Sequence, residues 1–205
     1  AVSGIGTTTV PDWLQNFLST FGLGDLTISQ LSVIVALAAV TILVLKTGLV
    51  LAGVSDSGFK VENFTKANMA KLDAEWDDID QSLRIAVKII SSFGLSARTL
   101  SAASVVIPVA DYVHSRGLTE SYLTSAASRE DLAGLRSWVL RSLIKPGIWG
   151  SALDGLLRAL HAVIRGSEGG FPAPLLEAEM ARFGKSLNFD QELLQDLVDS
   201  PYKHK

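Results

Sequence analysis

Three observations in the sequence predict an all-α fold. Between residues 65 and 93 an apolar stripe steps by three and four. From Leu26 to Leu45 an uncharged run extends further than a strand does. Two Ser-x-x-Asp signatures, at Ser128–Asp131 and Ser151–Asp154, open further helical patterns. Alternation of apolar and charged residues is confined to positions 59–64, too short to build a sheet. The expected architecture is an irregular bundle of about seven to nine helices around a buried apolar helix. The whole chain, 1–205, reads as a single helical domain, with a candidate sub-boundary near 166–170.

Taken in order, residues 1–9 are small and polar and read as a loose start. Trp13, Leu14, Phe17, Leu18 and Phe21 then share one helical face, and Gly22 and Gly24 end that helix. The uncharged stretch follows, capped by Thr27 or Ser29, and Lys46, Gly48 and Gly53 interrupt its apolar character. Its length suits a bilayer, yet no basic cluster or aromatic belt flanks it, so a core helix at the centre of the bundle is expected. Ser55-Asp-Ser-Gly58 is a turn. Met69, Leu72, Trp76, Ile79, Leu83, Ala86 and Ile90 describe one long helix, stopped at Gly94. Its acidic group (Asp73, Glu75, Asp77, Asp78 and Asp80) reads as a solvated face, because calcium sites need a glycine-bearing loop.

A helix beginning at Ser101 carries Pro108, which predicts a kink or a start near Ile107. Helices from Ser128 to Lys145 and from Ser151 to Arg165 follow, the first stopped by Lys145-Pro-Gly147. Gly166-Ser-Glu-Gly-Gly170 reads as a flexible loop, and two short helices close the chain, near 174–183 and 188–198.

Composition excludes several function classes. Apolar residues make up 48% and charged residues 19%, enough to bury a core and too few charges for a disordered chain. The net charge of -3 gives the molecule no general pull toward nucleic acid. Without cysteine there is no disulfide framework, thiolate nucleophile or thiolate metal site, which fits a cytoplasmic protein. The first residue is Ala1, which points to an excised piece, and no signal-peptide pattern is visible. No phosphate-binding glycine loop, His-Glu-x-x-His or Gly-x-Ser-x-Gly elbow occurs. The histidines at 114, 161 and 204 are scattered, and His161, among Leu160, Val163 and Ile164, reads as a helix-flank residue. No cofactor and no metal are expected.

One asymmetry suggests a binding surface. From Arg136 to Arg165 five cations face Asp154 alone, a balance of +4, while from Gly166 to Ser200 two cations face seven acids, a balance of -5. Trp138 and Trp149 interleave with the positive stretch. The candidate nucleic-acid contacts are Arg136, Arg141, Lys145 and Arg158. Arg141 and Lys145, one turn apart, share a face; Arg136 and Arg141, five apart, stand roughly 140° apart. The competing reading is a pair of solvated helix faces with both tryptophans in the core.

Several segments carry a family resemblance: Leu45-Lys-Thr-Gly-Leu-Val-Leu-Ala52, Phe59-Lys-Val-Glu-Asn-Phe-Thr65, Trp76, Phe93-Gly94, Val106-Ile-Pro-Val-Ala-Asp-Tyr112, Leu135-Arg-Ser-Trp-Val-Leu-Arg141 and Trp149-Gly-Ser151. Together they resemble the helical second half of the GmrSD-type restriction family of bacteria and phage-defence islands. That family begins with a ParB/sulfiredoxin-like nucleotide-hydrolysing domain marked by Asp-Gly-Gln-Gln-Arg, and many members end with a His-Asn-His nuclease. This chain has neither motif, so the family's catalytic residues have no counterparts here.

The resemblance implies a non-catalytic helical module of a modification-dependent restriction or defence nuclease, contributing structure and DNA engagement that is weak in isolation. Its partners would be the hydrolase and nuclease domains of the same protein, the whole being an NTP-dependent endonuclease. The alternatives are a protein-interaction or assembly domain that binds no nucleic acid, and a membrane-inserted helical protein through residues 26–45.

Overall fold

The structure, a computed structural model, describes residues 28–54, 63–96, 99–191, 194–195 and 199. Among these are seven α-helices, two 3-10 turns and no strand. The helices are α1 (Ile28–Leu51), α2 (Lys66–Ala74), α3 (Trp76–Ser92), α4 (Val106–Ser115), α5 (Arg129–Ile144), α6 (Leu153–Gly166) and α7 (Ala173–Arg182). The all-α expectation holds. The helix expected over 13–21 and most of the one over 188–198 lie outside the described residues. The chain divides into two compact units, Ala1–Leu43 and Val44–Lys205, a division that falls within α1.

The sequence places α1 at the centre of the bundle, and its side chains are described from Ala38 onward. Among these, Thr47 and Leu49–Leu51 are buried, with Ala52 just beyond, whereas Val40 and Ile42 are 57% and 44% exposed. Thr41, Lys46, Thr47 and Gly48 interrupt α1, and among the described residues no helix is long and apolar enough to cross a membrane. The helix enclosed on all sides is α4, in which every residue from Val106 to Val113 is buried. It packs against α3 on one flank and α6 on another. A helix surrounded in this way must be apolar all round, and α4 is over Val106–Val113, except for Asp111 and Tyr112.

The long helix expected over 65–93 is broken in two. Thr65 caps α2 by accepting from the Asn68 amide, and α2 stops at Glu75, whose φ of -106° and ψ of 7° leave the helical region. The break gives each piece its own buried face. Leu72 of α2 lies against Gly48 of α1, so closely that a Cβ there would stand 2.5 Å from its Cδ2. In α3 the buried line runs through Ile79, Ser82, Ala86 and Ile89, and Trp76, expected inward, is 39% exposed. Gly94 stops α3 in the left-handed region at φ +85°, as its position predicted.

Pro108 kinks nothing. A 3-10 turn over Ala103–Val105 leads into α4 at Val106, which puts Pro108 in the first turn, where a missing N–H breaks no intrahelical bond.

Neither Ser-x-x-Asp signature forms a cap. Ser128 makes no capping hydrogen bond, and α6 starts after Ala152, held left-handed at φ 55°. Both aspartates bond across the fold instead: Asp154 pairs with Lys46 of α1, and Asp131 binds two tyrosines and the Phe171 amide.

The loop 166–170 is pinned. Arg116 donates to the carbonyls of Ile164, Ser167 and Gly169 and to the Ser167 hydroxyl, closing the C-terminal end of α6 with a cation.

Candidate functional site

The four cations named as nucleic-acid contacts have different surroundings. Arg141 meets Glu177 of α7 in a two-point fork, Nη1 to Oε1 at 2.6 Å and Nη2 to Oε2 at 2.9 Å, and Nη2 also donates to the Leu187 carbonyl at 2.9 Å. Lys145 donates to the Asn188 carbonyl and stands 5.8 Å from the centre of the Phe189 ring. These two side chains do share a face, and together they hold residues 187–189 against the end of α5. Arg158 is exposed and has a partner of its own. Arg136 is exposed on another face of α5, in line with exposed Arg129 seven residues earlier, and neither forms an ion pair with another described residue. The structure therefore brings Arg141 and Lys145 together and leaves Arg136 and Arg158 apart from them.

The surroundings of that pair are polar and partly aromatic. A third cation, Lys185, is buried and donates to the carbonyls of Gly147 (3.0 Å) and Ile148 (2.6 Å), fixing the turn that follows α5. Beside the turn lies an open cleft of about 320 Å3, whose walls include Ser101, Ser142, Lys145, Ile148 and Trp149. The Trp149 indole donates to the Ser142 hydroxyl at 3.2 Å, and that hydroxyl donates to the Val139 carbonyl. Of the two tryptophans expected in the core, Trp138 is fully buried between Trp149 and Phe171, with ring centres 5.9 and 5.4 Å away. Trp149 is half-buried and belongs to the cleft.

The polar hub of the core is Asp111. Its side chain is 1% exposed and accepts from His161 Nδ1 at 2.9 Å and Arg165 Nε at 3.3 Å, both on α6. An ionised carboxylate only accepts, so the His161 proton sits on Nδ1 in this contact. Arg165 reaches on to the Leu51 carbonyl at 3.2 Å, capping the C-terminal end of α1. One buried acid thus ties α4, α6 and α1 together. His161, expected on a helix flank, is part of the tie. The signal was present in the sequence: Asp111 is the lone charge in the apolar run Val105–Val113.

Ser82 donates its hydroxyl proton to the Asp78 carbonyl at 2.7 Å, and its oxygen stands 3.3 Å from His114 Nδ1. Burial, and then the Arg165 cation, hold the His114 imidazole below its ordinary pKa. Among the described residues no three metal-ligating side chains converge.

No known family profile matches the chain, and no curated protein matches it.

Proposed function

We propose that this chain is a non-catalytic helical module of a modification-dependent restriction or defence nuclease of the GmrSD type, and that it engages DNA through the face of α5 bearing Arg141 and Lys145. The observation that carries the DNA reading is the position of that pair. The two cations sit one turn apart on one face, both partly exposed, beside an open cleft walled by Trp149. The segments behind the family reading agree with a bracing role, since Val106–Tyr112, Leu135, Trp138 and Val139 are buried. The chain alone is expected to hydrolyse no nucleotide and to cleave no DNA.

A salt titration of duplex-DNA binding tests this. Lys145→Gln should weaken binding and flatten the slope of log affinity against log salt by about 0.9, the loss of one phosphate contact. Arg136→Ala, an equal change of charge on another face, should leave the slope unchanged. Equal effects from both variants, or no binding by the wild type, would refute the reading.

The assembly reading has its own observation. Trp76 and Val87 of α3 are 39% and 50% exposed and lie three turns apart along one face, flanking the Asp80–Arg84 ion pair, a mixed surface that a protein partner could cover.

A further inference from the structure

The basic stretch 136–165 and the acidic stretch 166–200 meet at Arg141 and Glu177. We propose that Glu177 is an intramolecular competitor for the DNA backbone: its carboxylate occupies the two-point donor edge of Arg141 that a phosphate would take, and so masks the α5 face in the free protein. This inference rests on the DNA reading of that face.

Geometry supports it first. A guanidinium presents a planar pair of N–H donors that fits a carboxylate or a phosphate equally, and Glu177 takes both Nη atoms. Exposure supports it next. The Arg141 and Glu177 side chains are 35% and 26% exposed, so a phosphate can reach the pair without opening the core. The neighbouring cation points the same way. Lys145 is held by a neutral carbonyl and a ring face, and both are weaker partners for an ammonium than a phosphate anion is. Displacing Glu177 would therefore free Arg141 beside a lysine already able to change partners. The carboxylate left behind keeps an alternative in water, because it lies near the surface of α7.

Glu177→Gln removes the competing charge and keeps the shape. It should tighten duplex-DNA binding at low salt by about threefold, the scale of one partly exposed ion pair. The salt slope should steepen by about 0.9, because one more phosphate is neutralised. Glu168→Gln supplies the control, since Glu168 is exposed and the net-charge change is the same. It should leave affinity and slope unchanged. An equal gain in both variants reduces the effect to net charge and overturns the mask. Binding by the wild type that Glu177→Gln does not alter also overturns it, with the DNA reading intact. Failure of both proteins to bind removes the DNA reading and the mask together. Should Glu177→Gln lose its fold by circular dichroism, Glu177→Asp replaces it. The charge is then kept but the reach is one methylene shorter, which breaks the two-point fork, and a gain in affinity is again the expected result and its absence the refuting one.

Discussion

The Tyr112 hydroxyl donates to Asp131 Oδ2 at 2.6 Å, joining the centre of α4 to the first turn of α5. Tyr122 donates to the same oxygen at 2.6 Å, and Oδ1 accepts the Phe171 amide. The rings of Tyr112 and Phe171 meet edge to face, with centres 5.1 Å apart. Three donors from three parts of the chain thus converge on one carboxylate at a helix N-terminus, where negative charge is favoured.

That convergence predicts behaviour in alkali. Burial first, and then the hydrogen bond to Asp131, push both phenols well above their ordinary pKa of 10.0. The raised folded pKa makes the stabilising contribution complete below pH 10 and lost as pH rises beyond it, because the unfolded chain ionises its tyrosines and the folded one does not. Two of the three tyrosines should therefore show no tyrosinate absorbance in the near ultraviolet until the helical circular dichroism is lost. Ionisation of all three near pH 10, with the helices intact, would disprove the arrangement.

His114 sets the acid side. Its pKa is depressed from 6.5 by burial, with the Arg165 cation adding to the shift. A depressed folded pKa means the contribution is complete above 6.5 and declines as pH falls toward the folded value, because the unfolded chain takes up the proton more readily. Melting temperature should drop between neutral pH and mild acid, and His114→Gln should flatten that part of the profile. An unchanged slope in the variant would place the acid sensitivity elsewhere.

Asp111→Ala should be among the most damaging single changes. It leaves a partly buried imidazole N–H without its acceptor and strips the partly exposed Arg165 of its anion, a loss of about 1–3 kcal/mol, the scale of a polar partner removed. The measurement is chemical denaturation, read at the midpoint. Asp111→Asn keeps an acceptor for one of the two donors and should fall between the variant and the wild type.

Gly170→Ala tests the tightness of the Asp131 hub. A Cβ at position 170 would stand 2.6 Å from Asp131 Oδ1, an atom already fixed by its bonds. The carboxylate cannot swing away without breaking its bonds to Tyr112 and Tyr122. The expected cost is about 1–3 kcal/mol, as for other overpacked sites. At roughly 2–4 °C per kcal/mol in a chain of this size, the melting temperature should fall measurably in calorimetry. A variant as stable as the wild type would mean that the loop adapts freely.

Helices were legible in the sequence because their signal is local. The three-and-four spacing through Ile79 to Ile90, the glycines at 94 and 147, and the proline at 108 all act within a few residues of where they stand. The helices expected after Ser128 and Ser151, and the one near 174–183, accordingly lie within about two residues of their expected bounds. Periodicity also identified the apolar character of α1 and α4, but it could not rank them. Which apolar helix is enclosed depends on how many neighbours pack round it, and those neighbours are distant in the chain. The packing of α3 and α6 against α4 is what buries it from Val106 to Val113.

The partners of the polar groups were decided by the tertiary structure. Asp131 and Asp154 stand at the right spacing to cap their own helices, yet each bonds to groups brought close by the fold, because a buried donor left without an acceptor costs more than an exposed helix end does. For the same reason the basic stretch is not a uniform surface. Arg141 forks onto Glu177, Arg165 caps α1, Lys145 holds Asn188, and Arg136 remains in solvent. Charge counted along a sequence gives the number of cations. It does not say which of them a carbonyl or a carboxylate on a distant helix will reach first, since that is fixed by distances between elements that only the packed core sets.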